Sequence, residues 1–335
     1  MNDKLLSRND FRNMVFKRDR NNCIIPNCNK SAVDAHHIIE RRLWQDTSEF
    51  GGYFLCNGAS LCEEHHIAAE KNFYPPQYLW NILKIDNPIR PKSFKHNVDY
   101  TKWGVELKIP NRYRIKYPTT PYLPFSPQWQ SPESSKDDNV YLENVNCFLN
   151  APIIITIKMD GSNVQMTKEL IAARNGTVAN HKSFDYLKSL HAQKYSYLIP
   201  DNIEVFGEWL YAKHSIHYTE KLSLSNYLQI FGIYDMKQKM WGSWNDVENI
   251  ANLLGIPTVP MIKKVNYKEE WKLAQDVSNI AQGVIKQGHE GVVIRIDYPF
   301  HYGQFSDHVA KYVRPNHVQT DKHWSGQTII KNVQL

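Results

Sequence analysis

Short apolar runs alternate with amphipathic stretches over the last two thirds of the sequence. Runs rich in β-branched and aromatic residues predict strands. Those runs are IIITIKM (153–159), IEVFGEWLY (203–211), YLQIFGIYD (227–235), EGVVIRI (290–296) and HVAKYVR (308–314). Apolar residues at helical spacing predict helices around 181–194, 245–254 and 270–287. The pattern therefore predicts an α+β fold for this part of the chain.

The chain has 335 residues, which is enough for two domains. We predict a small module over 1–85, a linker rich in proline and lysine over 86–112, and a larger domain over 113–335. The sequence YPTTPYLPFSP (117–127) opens the larger domain and predicts an extended lead-in, because closely spaced prolines exclude a helix.

Composition places the chain among folded globular proteins. Hydrophobic residues make up 42% of it and charged residues 22%. No apolar run approaches the roughly 18 residues of a membrane span, and the first residues lack the apolar core of a signal peptide. We therefore expect a cytoplasmic protein that has no membrane partner.

Positive charge is concentrated in one segment. The excess of Lys and Arg over Asp and Glu within 90–118 equals the net +6 of the whole chain, and aromatic residues interleave with these charges. Such a surface is typical of phosphate and base binding, so the segment predicts a nucleic-acid track. A solvated linker is the alternative.

Cysteine is concentrated near the start of the chain, at Cys23, Cys28, Cys56 and Cys62. In an intracellular protein such a cluster indicates metal before disulfide. Cys23 and Cys28 form one knuckle, and Cys62 forms a second with His65. Together they offer the four soft ligands of a tetrahedral zinc, which would stabilise a module with little core of its own. Cys147 stands alone and is predicted to be a small core residue.

The first module resembles the HNH endonucleases, the ββα-metal fold, across about 11–70. The features that match are, in order, the helix FRNMVFKRD, a cysteine knuckle, a strand ending in His-His-Ile, a glycine-containing loop with Asn57, and a helix opening with Cys-x-x-His-His. The first knuckle is wider than usual, and His65 stands where a cysteine is more common.

The HNH resemblance implies a catalytic site beside the zinc. His37 would be the general base that activates water, while His36 and His66 would hold the catalytic metal and Asn57 would orient the loop. A neutral imidazole can take a proton from water while a divalent cation neutralises the scissile phosphate. The alternative is a zinc module that only binds nucleic acid.

Lys158 ends the apolar run and is followed by Asp160 and Gly161, in the sequence IKMDGSN. A lysine in this position is poorly explained as a surface charge. Burial would lower its pKa and make the amine a usable nucleophile. By itself Lys-x-Asp-Gly is also compatible with a simple β-turn.

The ordered sequences VFGEWLYAKHSIHY, IFGIYD, HEGVVIR and VAKYVR follow that lysine. With it they resemble the covalent nucleotidyltransferases, most closely the ATP-dependent RNA ligases, over about 113–335. The resemblance implies a domain of antiparallel sheets with flanking helices. It also implies that Lys158 attacks the α-phosphate of ATP to form a lysyl-AMP.

The RNA ligase resemblance assigns further roles along the chain. Asp160 and Gly161 would shape the turn that carries Lys158, and Arg174 would contact the 5′-phosphate end. Glu208 would bind the ribose, and Phe231 would stack on adenine.

Two further residues of the larger domain receive roles from the same resemblance. Glu290 would bind metal or orient Lys158. Lys311 would contact the α-phosphate and neutralise the charge that develops during transfer. DNA ligases and capping guanylyltransferases share the lysine motif but normally carry an OB domain after the last motif. We expect residues 315–335 to be too few for one.

The expected protein is an RNA ligase fused to an HNH nuclease-like module. It would use ATP, Mg²⁺ or Mn²⁺, and Zn²⁺, and it would act on nucleic acid in repair, processing or defence. RNA is favoured, with a DNA-directed nick-sealing enzyme as one alternative. In another, the HNH module is an inactive clamp and the ligase fold only senses ATP or broken ends. The oligomeric state stays open.

Overall fold

The computed structural model describes residues 4–96, 98–107, 115–127, 140–315 and 328–334. The chain divides into two compact units. Unit 1 comprises Met1–Ile109 with the short segment Pro299–Gly303, and unit 2 comprises Pro110–Tyr298 with Gln304–Leu335. The part of the basic segment that contains Lys108, Arg112 and Arg114 lies outside the described residues.

Unit 1 is built from short elements around a two-stranded sheet. They are α1 (Arg8–Arg18), β1 (Asp34–His37), β2 (Gly58–Leu61), α2 (Glu63–Glu70), α3 (Pro76–Ile82), β3 (Asp99–Tyr100) and β4 (Glu106–Leu107). Strand β13 (Phe300–His301) lies in the segment that groups with this unit. Strands β1 and β2 are antiparallel, with His37 opposite Gly58. The sheet and α2 therefore form a β-β-α arrangement.

The sequence explains how α1 meets this sheet. The Ser7 side chain caps the helix by accepting a hydrogen bond from the Asp10 backbone. Phe11 and Val15, one turn apart, are both buried in a cluster with Ala35 of β1. Gly58 allows this contact, since a Cβ there would lie 2.3 Å from Val15. The helix therefore packs closely beside His37.

Unit 2 contains the long strands. Its elements are β5 (Pro152–Lys158), β6 (Ser162–Met166), β7 (Ile171–Ala173), α4 (Asp185–Leu190), α5 (Ser196–Leu198), β8 (Ile203–Trp209), β9 (Leu228–Asp235), β10 (Met240–Trp241), α6 (Trp244–Leu254), β11 (Met261–Asn266), α7 (Glu270–Lys286), β12 (Gly291–Ile296), α8 (Phe305–His308) and β14 (Val309–Val313). Within the unit, one sheet has the order β10-β9-β8-β6-β7 and the other β11-β5-β12-β14. All of these strand pairs are antiparallel.

The main core of unit 2 combines residues from both sheets with α6. Ile154 of the second sheet, Val164 and Val205 of the first, and Val247 of the helix belong to one buried cluster. A capping box of Ser243 and Asp246 fixes the start of α6. The core thus holds the end of β5, where Lys158 lies, against the larger sheet.

All five predicted strands are present, and the helices α6 and α7 match the predictions for 245–254 and 270–287. The helix predicted over 181–194 differs from the structure. It is a series of short helical segments: a 3₁₀ turn, α4, a π-helical turn at His191–Tyr195, and α5. Among the described residues, no helix combines the length and the apolar character that crossing a membrane requires.

Candidate functional sites

Lys158 is the last residue of β5 and lies opposite Gly291 at the start of β12. Side chains alternate along a strand, so Ile154, Thr156 and Lys158 share one face. Ile154 lies in the core, whereas the side chain of Lys158, four residues further along the same strand, is 26% exposed. The amine is thus at the border between the core and solvent.

Three carboxylates surround this amine. Lys158 Nζ lies 2.6 Å from Glu290 Oε2, and Glu208 and Asp160 are close enough to act on its charge. Burial works against the charged amine, but the attraction of Glu290 and Glu208 outweighs it and raises the pKa of Lys158. The prediction of a lowered pKa is therefore wrong: burial acts in the predicted direction, but the carboxylates outweigh it.

The turn after Lys158 is fixed from two directions. The Gly161 N–H donates to Glu208 Oε1 at 2.9 Å. Asp160 accepts a hydrogen bond from the Ile216 N–H at 2.5 Å, and its own N–H donates to the Tyr218 hydroxyl at 2.9 Å. Gly161 must be glycine here, since a Cβ would lie 2.6 Å from the Trp209 carbonyl oxygen. The turn is thus held in one conformation.

Phe231 is the extra residue of a β-bulge. In the pairing of β8 with β9, Phe206 faces Gly232 while Gly207 faces Ile230, so Phe231 has no partner across the sheet. Bulges redirect a side chain. Phe231 is partly exposed, and its ring meets that of the half-buried Tyr117 edge-on at 5.1 Å between centroids.

Arg295 supports the bulge from the second sheet. Its guanidinium is buried and donates to the carbonyl oxygens of Phe231, at 3.3 Å, and of Gly242, at 2.6 Å. This contact fixes the backbone that carries the Phe231 ring.

Lys311 shares a sheet face with Lys158. Lys311 of β14 lies opposite Val293 of β12, and Val293 in turn lies opposite Thr156 of β5. The side chains of Thr156 and Lys158 are on the same face of the sheet. The Lys311 ammonium lies 3.9 Å from the centre of the Tyr122 ring. Arg174 lies outside this grouping; it is exposed and donates to Thr119 at 3.3 Å.

The cysteine cluster of unit 1 forms a ligand set. The Sγ atoms of Cys23, Cys28 and Cys62 and one ring nitrogen of His65 lie within 4.8 Å of one another. His65 Nδ1 is 3.2 Å from Cys23 Sγ and 3.3 Å from Cys62 Sγ. These spacings fit a tetrahedral ion with bonds of about 2.0–2.3 Å. Burial raises the pKa of the Cys23 thiol to about 12, so a metal would have to displace a proton.

A second ligand set combines His36, His66 and Glu70. Glu70 Oε1 lies 3.3 Å from a ring nitrogen of each histidine and 3.2 Å from Lys102 Nζ. Burial raises the pKa of Glu70, but hydrogen bonds from the two histidines and the charge of Lys102 hold it below its usual range. Nitrogen and carboxylate donors suit a divalent cation.

His37 lies beside this second set, in a cavity of about 280 Å³ that Lys102 and Arg41 also line. Its ring stacks on Phe11 at 4.5 Å and meets Tyr53 edge-on at 5.3 Å. Burial, with the charges of Lys102 and Arg41, lowers the pKa of His37 to about 3. The imidazole is therefore neutral at neutral pH, as a proton acceptor must be.

Asn57 is not brought into the second set. It is fully buried, and its amide bonds only to backbone: it accepts from Ile39 N at 2.7 Å and donates to the carbonyl oxygens of Ile39 and Gly52. The predicted loop-orienting role fits this geometry, and direct metal ligation does not.

The described part of the basic segment is largely neutralised by ion pairs. Lys92 pairs with Asp46 at 3.0 Å, Lys95 with Glu106 at 2.6 Å, and Lys102 is buried beside Glu70. Tyr100, one of the aromatic residues expected to stack on bases, is buried instead. These contacts favour a structural role for this part of the segment.

Comparison with protein families identifies the segment that contains the Lys158 site. Residues 151–313 match the RNA ligase family model. This match supports a ligase or nucleotidyltransferase assignment for that segment. No curated protein matches the chain in sequence.

Several solved structures resemble the chain. An archaeal ATP-dependent RNA ligase shares 15% identity at a TM-score of 0.39, with 61% of this chain and 49% of that one covered. A putative ATP-dependent DNA ligase from Aquifex aeolicus shares 16% identity at a TM-score of 0.39, with 61% of this chain and 50% of that one covered. A Naegleria gruberi RNA ligase mutant with ATP and Mn shares 13% identity at a TM-score of 0.35, with 50% of this chain and 51% of that one covered. The chain thus spans about half the length of these structures.

Sequence reasoning missed Glu70, Lys102 and Tyr218. Glu70 follows His66 by one helical turn, which is a usable signal in a helix already expected to carry a ligand. Lys102 reaches the second ligand set from the segment after α3, and Tyr218 reaches Asp160 from beyond β8. Neither contact has a local pattern that would reveal it.

The carboxylates around Lys158 predict a pH effect on stability. Burial is the largest cause that raises the pKa of Glu208 to about 7 and that of Asp160 to about 6. The pKa of Glu208 in the folded protein is higher than its pKa in the unfolded chain, which is about 4.3. Ionisation of Glu208 therefore lowers the free energy of unfolding as the pH rises from the unfolded pKa to the folded pKa. Glu208→Gln should therefore stabilise the protein more at pH 8 than at pH 5, by about 2 kcal/mol in the free energy of unfolding.

Denaturant unfolding of unit 2 at the two pH values measures this difference. Glu143→Gln, at an exposed position of the same unit, is the matched control and should give the same result at both. An equal effect of Glu208→Gln at pH 5 and pH 8 would contradict the assigned burial.

Proposed function

We propose that unit 2 is an ATP-dependent RNA ligase that acts through a lysyl-AMP. The observation that carries this proposal is the 2.6 Å contact between Lys158 Nζ and Glu290 Oε2, within a segment that matches the RNA ligase family model. The amine attacks the α-phosphorus of ATP, a P–N bond forms, and pyrophosphate leaves. AMP then passes to a 5′-phosphate, and attack by a 3′-hydroxyl joins the strands and releases AMP.

The amine must lose a proton before it attacks, because the carboxylates hold it charged. Glu290 Oε2 is the nearest acceptor for that proton. A bound Mg²⁺ or Mn²⁺ would neutralise phosphate charge, and the oxygens of Asp160 and Glu290 are ligands that such a cation prefers. Phe231 offers its redirected ring to adenine, and Glu208 offers its second oxygen to the ribose.

Lys311 is proposed to leave the Tyr122 ring and contact the α-phosphate. A cation there stabilises the charge that develops at phosphorus during both transfers. The proposed role of Arg174 at the 5′-phosphate end would require its exposed side chain to turn away from Thr119.

Incubation with labelled ATP, followed by 5′-phosphorylated RNA or DNA strands, nicked and single, tests the proposal. Joined RNA is the expected product. Joining of DNA alone would favour a DNA-directed nick-sealing enzyme.

We also propose that unit 1 is an HNH-type nuclease with a structural zinc. The observation that favours cleavage is the placement of His37 beside the set of His36, His66 and Glu70 in one cavity. In the proposed reaction, His37 takes a proton from water, the new P–O bond forms, and the bond from phosphorus to the 3′ oxygen breaks. A 5′-phosphate and a 3′-hydroxyl result, which are the ends that unit 2 would join.

Combining the two activities gives a prediction. Wild-type protein with ATP should show little net cleavage of nucleic acid. Lys158→Ala should accumulate cleaved strands, because the variant cannot reseal them. His37→Ala should lose cleavage by about a hundredfold or more, as expected for removal of a general base, and should still take up AMP. Analysis of product ends on RNA and DNA is the measurement.

The contrary outcomes of this experiment are specific. Products that end in 3′-phosphate would contradict the proposed chemistry. Absence of cleavage with Mg²⁺, Mn²⁺ and Ni²⁺ would favour a zinc module that only binds nucleic acid.

A further inference from the structure

The C-terminal segment runs beside the loop that follows β8. Residues 330–333 pair with residues 211–218 through the backbone. Lys213 N–H donates to the Ile330 carbonyl at 2.8 Å, Asn332 N–H to that of Tyr211 at 3.0 Å, and Val333 N–H to that of Tyr218 at 2.8 Å. The segment thus follows the loop along most of its length.

Asn332 is the buried centre of this pairing, with 3% exposure. Its Oδ1 accepts from the Tyr218 N–H at 3.0 Å, and its Nδ2 donates to the carbonyl oxygens of Leu210 at 2.8 Å and Ala212 at 3.2 Å. The Asn332 side chain therefore satisfies backbone hydrogen-bonding groups at both ends of the loop. No other residue type carries this combination of one acceptor and two donors at the same length.

The other side of the same loop forms hydrogen bonds to residues 160–162, the turn that follows Lys158 and is called the nucleophile turn below. Ile216 N–H and the Tyr218 hydroxyl both bond to Asp160, and His214 Nε2 lies 3.2 Å from Ser162 Oγ. Asp160 and Ser162 flank Gly161, two to four residues after Lys158. The loop thus joins Asn332 to the turn through consecutive hydrogen bonds.

Burial of apolar surface does not explain the segment. Ile330 is 51% exposed, and Lys331 and Gln334 are exposed as well. The segment instead makes hydrogen bonds, most of them to residues 210–218 and two to Leu224 and Tyr227, which is what a positioning element requires.

We propose that Asn332 is a positioning residue for the nucleophile turn, acting on Asp160 through residues 210–218. The inference rests on the proposed function, because it assigns Asn332 to AMP transfer by Lys158. Its role is to present the Lys158 amine for attack on the α-phosphorus. Strand joining from an already adenylylated end needs no nucleophilic lysine and should depend on Asn332 far less.

The test compares two reactions of the full-length protein. Asn332→Ala should lower the single-turnover rate of AMP transfer from labelled ATP by about tenfold or more, and sealing of a pre-adenylylated RNA strand by less than about threefold. Asn144→Ala is the matched control, because it removes an exposed asparagine whose side chain accepts only from the nearby Asn146 N–H. That control should leave both rates unchanged. If Asn332→Ala does not fold, Asn332→Ser is measured in the same way.

Hydrogen exchange supplies a readout that does not depend on activity. In Asn332→Ala, amides of residues 158–162 and 211–218 should exchange faster than in wild type, with no change in β9 or α7. Equal losses in the two reactions, or wild-type exchange in both segments, would overturn the proposal. A wild-type protein that takes up no AMP would instead contradict the proposed function, and the exchange comparison would still decide the role of Asn332.

Discussion

Lys158→Ala is expected to abolish covalent AMP uptake. The alanine protein retains the carboxylates of Glu290, Glu208 and Asp160 but has no amine to form the P–N bond. Lys158→Arg should fail as well, because a guanidinium stays protonated and cannot attack phosphorus. Intact mass after incubation with ATP and Mg²⁺ is the measurement, and wild type should gain one AMP.

Pre-bound AMP must first be removed with pyrophosphate, since a purified ligase can carry it. Lys168→Ala is the matched control, because Lys168 is a surface lysine of the same unit that pairs with Asp201. It should take up AMP like wild type. A folded wild-type protein whose mass does not change, or a Lys158→Ala protein that still gains AMP, would refute the assignment of the nucleophile.

Loss of the zinc set should unfold unit 1. Metal analysis of protein purified without chelators should find about one zinc per chain, and Cys62→Ser should remove it. Structural zinc contributes on the order of 10 kcal/mol to small modules, which is comparable with the whole free energy of unfolding of a typical domain. Limited proteolysis should then degrade Met1–Ile109 while AMP uptake by unit 2 persists.

Cys56→Ala provides the control for the zinc experiment. Cys56 is buried in the same unit but lies outside the ligand set. The variant should keep its zinc and its resistance to protease. Protein that contains no zinc and is nevertheless folded throughout unit 1 would contradict the assignment of Cys23, Cys28, Cys62 and His65.

The sequence allowed prediction of features that arise within one element. The strand that ends at Lys158 follows from a run of β-branched residues, and the turn after it follows from Asp160 and Gly161. Helix α6 follows from helical spacing between Ser243 and Gly255, which cap its two ends. That Cys23, Cys28, Cys62 and His65 come together could be predicted because clustered cysteines with a histidine at this spacing are typical of a metal site.

Features that depend on contacts between distant elements escaped prediction. The pKa of Lys158 is raised by Glu290, which precedes β12, and by Glu208 of β8, so burial alone predicts the wrong direction. The bulge at Phe231 depends on how β8 and β9 align. The proposed role of Asn332 has no sequence signal, because it depends on the backbone groups that the side chain contacts.

The pairing of Lys158 with Glu290 also bears on how the protein is made. The two residues are separated by 132 positions; Lys158 ends β5, and Glu290 immediately precedes β12, which pairs with β5 in the sheet. Contacts so distant in sequence form late, since loop closure must be completed before they give any stabilisation. A nascent chain on the ribosome that has not yet exposed β12 lacks both the partner of the amine and the strand beside it. If the proposed function holds, such a chain would not react with ATP, and the capacity to react would arise only after most of the polypeptide has emerged.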